Sequence, residues 1–274
     1  MDEFYALFRR LMVHDEVVLA RRLLDLAPWD VRDQPVLADM RLMVNAQLRH
    51  LDDPEAYWAM YAAYRADVEA VPLPNPILQS YGQFVRFRAA LELLTPGCTF
   101  LDIGSYDGAL TNRAGIFGAR AFGVDCSVTG VDLANRKAVE FNTGARHALC
   151  RFGLDPLPEG FPAQYDVVSC MEVYEHCPDP GALCRALRAL VAPGGVLLLT
   201  TPHGSWLRGV GVGYGPRWDQ TEPREHVRAP TPLDVGLDLR AAGFESVRVE
   251  SVENDQSGQP VPIPGQSTLL AVAK

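Results

Sequence analysis

The sequence predicts an α/β fold, a doubly wound and mostly parallel sheet preceded by an all-helical N-terminal extension. One observation is a series of short apolar runs in the C-terminal part, which alternate with helical stretches as parallel strands do with crossover helices. Another is the recurrence of apolar residues at three- and four-residue spacing over positions 1–70. Between them lies a proline-rich segment, Val71 to Pro76, which cannot continue a helix. We therefore predict a helical domain over residues 1–76 and an α/β domain over 77–274.

The apolar spacing also predicts individual helices around this boundary. Helices are expected over residues 34–51 and 54–70, the second after an Asp-Asp-Pro start signal. A further helix over 81–94 leads into the first strand, and packing beneath the sheet is its favoured role. The alternative is that its polar side chains, Arg86 among them, close over a ligand.

Composition excludes several classes of function. With 274 residues and 48% hydrophobic content, the chain is long enough for one large core plus a small appendage. The formal net charge of −9 and the lack of a basic stripe argue against a nucleic-acid partner. Six cysteines without a CxxC pair are typical of reduced, buried thiols. The N-terminal residues contain no apolar signal region and no segment approaches a membrane span, so we expect a cytoplasmic protein without a membrane partner.

The segment Leu101 to Gly108, LDIGSYDG, is the most specific motif in the chain. An apolar strand ends there in Asp102, and Gly104 leaves room for a ligand to approach the backbone. Backbone and helix N-terminal amides at such a turn can face a ligand at the carboxyl edge of a parallel sheet. Because Asp107 would repel a phosphate, the predicted ligand is a nucleoside without phosphates. Asp125 ends the second strand about twenty residues later, where dinucleotide folds place the acid that binds ribose hydroxyls.

Two further apolar strands follow in the segments YDVVSCMEVYEH and APGGVLLLTTPH. Together with the glycine turn and Asp125, they make the run from Phe100 to His203 similar to the class I S-adenosylmethionine-dependent methyltransferases. The similarity covers residues 81–274. It implies a Rossmann-like, doubly wound sheet of seven strands and S-adenosylmethionine as the cofactor. Tyr106 departs from the family, which usually has glycine at that position.

The resemblance also implies roles for individual residues. The glycine turn would hold the methionine moiety of the cofactor, Asp125 the ribose, and Asp155, after the third strand, the adenine. The full set implied for cofactor binding is Asp102, Gly104, Ser105, Tyr106, Gly108, Asp125, Cys126, Asp155 and Met171.

Acidic and imidazole side chains follow the fourth strand. If a helical turn begins there, the i, i+3, i+4 spacing of Glu172, Glu175 and His176 puts all three on one face. With His226 they would make a ligand set for a divalent ion such as Mg²⁺ or Zn²⁺. The pattern resembles two metal-using branches of the family, the quinone-pathway catechol O-methyltransferases and the small-RNA 3′-end 2′-O-methyltransferases. The alternative is the metal-free Glu-His pair that many family members carry.

Methyl transfer to a hydroxyl needs an acceptor oxygen aligned with the departing sulfur and a group that takes the hydroxyl proton. The predicted catalytic residues are His176, His203 and Glu175, whereas His147 is interpreted as a surface or core residue. Residues 204–232 are rich in glycine, proline and aromatic residues, and form either an acceptor-binding lid or a covering loop.

The resemblance therefore favours an O-methyltransferase acting on a hydroxyl of a small molecule or sugar. One alternative is 2′-O-methylation of an RNA 3′ end, which the acidic balance of the chain opposes. The other is a non-catalytic binding module that kept the fold, for which the Tyr106 substitution is the only sign. The acceptor atom and the oligomeric state are left open.

Overall fold

The computed structural model describes most of the α/β domain and a few parts of the N-terminal extension. The described residues are 4, 7, 8, 17–25, 44, 48, 52, 53, 55, 85–153, 155–203, 230–254, 260–261 and 268–274. The predicted helices over 34–51 and 54–70, the boundary at Val71 to Pro76, and nearly all of the stretch 204–232 lie outside these residues. Among the helices that are described, none has the length and apolar character of a membrane span.

Helices and strands alternate along the described chain. The helices are α1 Val17–Asp25, α2 Val85–Leu91, α3 Ala109–Ile116, α4 Val128–Glu140, α5 Pro180–Leu190 and α6 Pro232–Ala241. The strands are β1 Thr99–Ile103, β2 Arg120–Asp125, β3 Arg146–Leu149, β4 Tyr165–Met171, β5 Val191–Pro202, β6 Val247–Asn254, β7 Pro260–Val261 and β8 Thr268–Ala273. A single 3₁₀ turn, Tyr174–His176, lies between β4 and α5.

The strands form one sheet in the order β3-β2-β1-β4-β5-β8-β6-β7. Strands β1 to β5 run parallel, and β8 is antiparallel to both β5 and β6. The two-residue β7 extends the sheet beyond β6. The predicted seven-stranded, mostly parallel sheet is thus confirmed, with β7 as a short addition. The chain order reverses between β1 and β4, and such a switch point is where open α/β sheets bind ligands.

Alternation within the strands places a core on each face of the sheet. Leu101 of β1 and Leu197 of β5 face one core, which α5 and α6 cover. Phe100 and Leu198, their neighbours in sequence, face the other core, which α2 and α3 cover. This two-residue period explains why the central strands read as continuous apolar runs: both faces of the sheet are buried.

Helix α2 lies within the predicted 81–94 helix and packs against the sheet. Its Phe87 and Ala90 are buried in the core that Phe100 and Leu198 also line. Its Arg86 is less buried and approaches a carboxylate at the end of β4. Packing beneath the sheet, the favoured interpretation of this helix, therefore agrees with the structure.

Candidate active site

The glycine turn, residues 104–108, leaves β1 at the switch point of the sheet. Gly104 and Gly108 adopt left-handed backbone angles, φ 76° and 70°, which glycine reaches without strain. A Cβ on Gly104 would lie 2.3 Å from Cγ2 of Val173, in the turn that follows β4. The glycine turn and the turn after β4 are therefore in direct contact, and only glycine fits between them.

Most backbone amides of the glycine turn are used inside the protein. The amides of Gly104 and Ser105 both donate to the Val124 carbonyl, at 2.9 and 3.0 Å. The Gly108 amide donates to the Ser105 carbonyl at 2.8 Å. The prediction that these amides face a ligand is therefore wrong for the three residues, because the neighbouring strand and the turn itself already accept from them.

Asp107 occupies the start of α3, where an anion would otherwise bind. Its Oδ1 accepts from the Ala109 amide at 3.2 Å, and its Oδ2 accepts from the Lys137 ammonium group. A helix N-terminus attracts anions through its free amides and dipole. Here the protein supplies its own carboxylate, which is consistent with the predicted ligand that lacks phosphates.

Asp125, at the end of β2, joins the glycine turn to the start of α4. Its Oδ2 accepts from the Tyr106 amide and its Oδ1 from the Ser127 amide, both at 2.8 Å. Each carboxylate oxygen can accept more than one hydrogen bond, and the residue is only half-buried. The acceptor capacity of Asp125 thus fits a ribose, because its carboxylate can accept from two hydroxyls while it holds the turn. Cys126, next in sequence, is also partly exposed.

Two side chains implied for cofactor binding point into the protein instead. The Asp102 carboxylate is buried and accepts from the Thr111 hydroxyl at 2.8 Å and the Ser169 hydroxyl at 2.6 Å. Burial raises the pKa of Asp102 to about 6. The Ser105 hydroxyl is buried and has no hydrogen-bond partner among the described residues. Both side chains therefore point into the protein, and cofactor contacts of Asp102 and Ser105 stay predictions.

Tyr106 takes a left-handed conformation, φ 43°, at the position where the family usually has glycine. Its ring rests on the first turn of α4, since a Cβ on Gly130 would lie 2.9 Å from the ring carbon Cδ2. The absence of a side chain on Gly130 therefore accommodates the tyrosine. A contact of Tyr106 with the cofactor stays a prediction.

Asp155, implied to contact adenine, lies in an ion pair. The backbone amide and Nε of Arg151 donate to its Oδ2 at 2.8 and 3.0 Å, and Nη2 donates to its Oδ1 at 2.8 Å. These bonds lower the pKa of Asp155. Arg151 also pairs with Glu55 of the N-terminal extension. Met171, the last residue of β4, is buried in the core beneath the sheet edge. Cofactor contacts of Asp155 and Met171 stay predictions.

The acceptor-side turn, residues 172–176, does not form the predicted helical face. Glu172 has a left-handed backbone, φ 56°, and the single 3₁₀ turn begins only at Tyr174. The helical turn on which the i, i+3, i+4 arrangement depends is therefore not present at Glu172, because that residue has left-handed backbone angles and precedes the 3₁₀ turn. Glu172 Oε1 instead accepts from the Thr200 hydroxyl at 2.9 Å and lies 3.9 Å from Nη1 of Arg86.

Glu175 is closed off from the crevice, although it is predicted to be catalytic and metal-binding. It is 1% exposed, and its Oε2 accepts from the Thr201 hydroxyl at 2.9 Å. Burial, and then the nearby Glu172 carboxylate, raise its pKa well above the ordinary value. Its Oε1 lies 3.8 Å from Nε2 of His176. This burial fits a residue that packs beside His176 better than one that touches an acceptor.

The two histidines predicted as bases both lie at the carboxyl edge of the sheet. His176 ends the 3₁₀ turn, and its side chain is 12% exposed. His203 directly follows β5 and is partly exposed. The third imidazole of the predicted set, His226, lies outside the described residues. Within the described part of the chain, no three or more acidic, histidine or cysteine side chains are grouped to hold a metal ion.

Sequence reasoning missed several residues that build this site. Thr200 and Thr201, at the end of β5, each hold one acid of the acceptor-side turn. Tyr174 bonds to Asp238 of α6. His147 lies under the glycine turn, since a Cβ on Gly108 would come within 2.6 Å of its Cε1. The paired threonines before His203 were a usable signal, whereas the other contacts join residues far apart in sequence.

Comparison with known proteins agrees with this arrangement. Residues 75–249 match the methyltransferase domain family. A ubiquinone biosynthesis O-methyltransferase of Paraburkholderia phytofirmans is 31% identical over 160 residues, which are 57% of this chain and 68% of that protein. One from Leptothrix cholodnii is 33% identical over 155 residues, which are 53% of this chain and 66% of that protein. The matched part thus spans about two thirds of these relatives.

Solved structures share the fold at lower identity. A possible histamine N-methyltransferase of Thermotoga maritima superposes with a TM-score of 0.55 at 13% identity, covering 79% of this chain and 98% of that one. The magnesium protoporphyrin IX methyltransferase of Synechocystis, solved with S-adenosylhomocysteine, gives 0.53 at 20% identity, covering 74% of this chain and 90% of that one. The methyltransferase family match over residues 75–249, together with the glycine turn, Asp125 and the sheet order, shows that the chain belongs to the class I S-adenosylmethionine-dependent methyltransferases.

Proposed function

We propose that this methyltransferase transfers the methyl group of S-adenosylmethionine to a hydroxyl of a small molecule or sugar. The observation that carries the proposal is the contact between the glycine turn and a turn that bears an imidazole beside a buried carboxyl group, at Gly104 and Val173. A cofactor held at the first turn lies next to a proton acceptor on the second. The O-methyltransferase relatives support a hydroxyl as the acceptor.

The residues present fit the cofactor through the acid at the end of β2. Asp125 would accept from the ribose hydroxyls while the Tyr106 and Ser127 amides hold its carboxylate in place. The cofactor supplies an activated methyl group on a sulfonium. Since that group needs no further activation, the protein contributes alignment, exclusion of water and removal of the acceptor proton.

We infer that His176 removes the proton from the acceptor hydroxyl. Its imidazole can accept a proton, and Oε1 of the Glu175 carboxyl group lies 3.8 Å from its Nε2. The bond from Thr201 keeps Glu175 in place. His203 is the second candidate because it lies at the same sheet edge after β5.

We propose as a separate hypothesis that a divalent metal assists the reaction. Its ligands would be Glu172, Glu175, His176 and His226, with one oxygen of each glutamate already accepting from Thr200 or Thr201. Dialysis against a chelator, followed by elemental analysis and activity measurement, tests it. Activity lost with the ion and restored by Mg²⁺ or Zn²⁺ supports metal assistance, whereas full activity in the metal-free protein contradicts it.

The acceptor class can be identified by comparing methyl transfer to different classes of hydroxyl compound. The relatives named for ubiquinone biosynthesis favour an aromatic hydroxyl, with 3,4-dihydroxybenzoate as a simple probe. Incubation with methyl-labelled S-adenosylmethionine and pools of catechols, sugars and short RNAs should label the catechol or sugar pool. Labelling of RNA alone would support the 2′-O-methyltransferase alternative. Calorimetric binding of the cofactor without labelling of any pool would favour the non-catalytic module.

A further inference from the structure

The acceptor-side turn is bonded to helix α6 inside the protein. The Tyr174 hydroxyl donates to Oδ2 of Asp238. Tyr174 is fully buried, and Asp238 is 1% exposed. Tyr174 begins the 3₁₀ turn that carries Glu175 and His176, whereas Asp238 lies on the core-facing side of α6. The bond therefore joins the predicted proton acceptor to an element 64 positions away in sequence.

Burying an aspartate lowers the stability of the fold, so Asp238 is an unfavourable residue if its only role is to pack α6 against the core. Asp238 lies on the same core-facing side as Val235 and Leu239, which are both fully buried. A carboxylate in such surroundings loses its hydration, and aspartate is a poor helix former. An apolar pair of similar shape is often as stable as a buried polar one. What a directional bond adds is a defined relative position of the two groups.

The 3₁₀ turn has little structure of its own that could supply this position. It is three residues long, and the backbone bonds around it are from His176 to Val173 at 3.0 Å and from Cys177 to Tyr174 at 3.3 Å. Side-chain bonds add to these: Thr201 donates to Glu175 of the turn, and Tyr174 of the turn donates to Asp238 of α6. Just before the turn, Glu172 is bonded to Thr200 through both its backbone amide and its carboxylate.

Helix α6 is itself firmly defined at its start. Thr231 and Asp234 form a reciprocal capping box, in which each side chain accepts from the backbone amide of the other residue. Asp238 lies one turn further along the same helix. In sequence, α6 begins at the last residue of the stretch 204–232, which is predicted to form either an acceptor-binding lid or a covering loop. The bond to Asp238 thus connects the His176 turn to the helix at the end of this stretch.

We propose that Tyr174 and Asp238 form a positioning pair that holds His176 in register with the acceptor hydroxyl. The role of His176 rests on the proposed function, whereas the pair itself is a feature of the fold. The pair acts through the backbone of the 3₁₀ turn. The bond to Asp238 fixes the position of Tyr174, and the short backbone from Tyr174 to His176 then fixes where the imidazole lies. Loss of the bond should affect the chemical step more than cofactor binding.

The test compares two conservative variants that each remove one buried tyrosine hydroxyl. Tyr174→Phe removes the hydroxyl that bonds to Asp238. Tyr165→Phe is the control, because the buried Tyr165 hydroxyl has no hydrogen-bond partner among the described residues. Asp238→Leu, which removes the acceptor at similar side-chain size, and the double variant Tyr174→Phe/Asp238→Leu complete a cycle. The measurements are kcat and KM with 3,4-dihydroxybenzoate, the Kd of S-adenosylmethionine, and amide hydrogen exchange over residues 172–177.

We expect kcat to fall by about 10-fold to 100-fold in Tyr174→Phe, with KM and the cofactor Kd nearly unchanged, because displacement of a catalytic group by about 1 Å has effects of this size. Exchange should rise over residues 172–177 only. The double variant should lose little more than either single variant. Tyr165→Phe should match the wild type in all of these measurements.

Two results would overturn the proposal. In one, Tyr174→Phe has the same kcat and the same amide exchange rates as the control variant Tyr165→Phe. In the other, it loses cofactor affinity and exchanges faster throughout, which is the behaviour of a bond that only stabilises the fold. If the wild type methylates no hydroxyl, the proposed function fails but the pair is still tested: a rise in exchange confined to residues 172–177 supports it, and unchanged exchange contradicts it.

Discussion

The two turns that meet at the sheet edge are built in different ways. The glycine turn is held by backbone: its amides bond to the Val124 carbonyl and to the Asp125 carboxylate, and its left-handed residues set its path. The acceptor-side turn is bonded mostly through side chains from β5 and α6, which bond to Glu172, Tyr174 and Glu175. One backbone bond also joins the Glu172 amide to the Thr200 carbonyl. The shape of the cofactor side therefore depends mainly on backbone angles, whereas the shape of the acceptor side depends mainly on side-chain hydrogen bonds. A substitution can disturb the first by changing the allowed backbone angles and the second by removing a bond.

The largest expected effect is on kcat in a His176 variant, and it would show that the acceptor-side turn serves the chemical step whereas the glycine turn serves cofactor binding. His176→Asn keeps a polar side chain of similar size but removes the base, so kcat should fall by about 10²-fold to 10⁴-fold. The Kd of S-adenosylmethionine should stay within about twofold of the wild type. Single-turnover kinetics and calorimetry measure the two quantities. His203→Asn is the matched control and should lose less activity; a greater loss would move the base role to His203.

The next effect tests whether the two turns are in contact through Gly104. Gly104→Ala places a methyl group 2.3 Å from Val173 Cγ2 in a left-handed conformation, whereas Gly144→Ala has the same kind of backbone with no atom within 4 Å. We expect the first to reduce the free energy of unfolding by about 2–4 kcal/mol and the second by about 1 kcal/mol. Urea unfolding measures both. Adding Val173→Ala should restore part of the loss in Gly104→Ala, and no restoration would contradict the contact.

A smaller effect is expected at Asp125, which belongs to both the turn and the ribose site. Asp125→Ala removes a charged acceptor of two hydroxyl bonds, so the affinity for S-adenosylmethionine should fall at least about tenfold. Asp125→Asn keeps the shape and one acceptor oxygen, and should lie between the two. Equal affinity of the wild type and Asp125→Ala in calorimetry would rule out the ribose assignment.

The last effect is absent at neutral pH: it is an acid-side pH dependence of stability from His147, which lies beneath the glycine turn. Burial lowers its pKa to about 4, with opposing contributions from Asp107, which raises it, and Lys137, which lowers it. The unfolded chain binds this proton at about pH 6.5, so the contribution of His147 to stability is constant above that pH and falls between about pH 6.5 and 4. His147→Gln should flatten this part of the curve in urea unfolding at pH 7, 5.5 and 4.5. An unchanged slope would contradict the shift.

The backbone-built side of the site was largely predictable from sequence, for a physical reason. A strand, a glycine turn and the acid at the next strand end are local patterns, because parallel strands bring their carboxyl ends to one edge. The switch point between β1 and β4 followed from the same rule. What the pattern could not reveal is where each hydrogen bond goes. The sequence pattern predicts that Ser105 binds a ligand, whereas in the structure its hydroxyl is buried beneath the turn.

The side-chain network was not predictable in the same way. The helical spacing of Glu172, Glu175 and His176 was misleading because Glu172 adopts a left-handed conformation, which no periodicity indicates. The bond between Tyr174 and Asp238 joins residues 64 positions apart, so only the packing of α6 on the sheet brings them together. Long-range contacts of this kind depend on tertiary structure, and local sequence patterns carry no information about them.

The contact at Gly104 limits how this enzyme could evolve towards other acceptors. Val173 already fills the space over the glycine, so a larger side chain at position 173 would push the cofactor turn away. New acceptor preferences should therefore arise by replacement at other positions, while 104 and 173 change only together. Among descendants of this chain, we expect these two sites to be inherited as a pair.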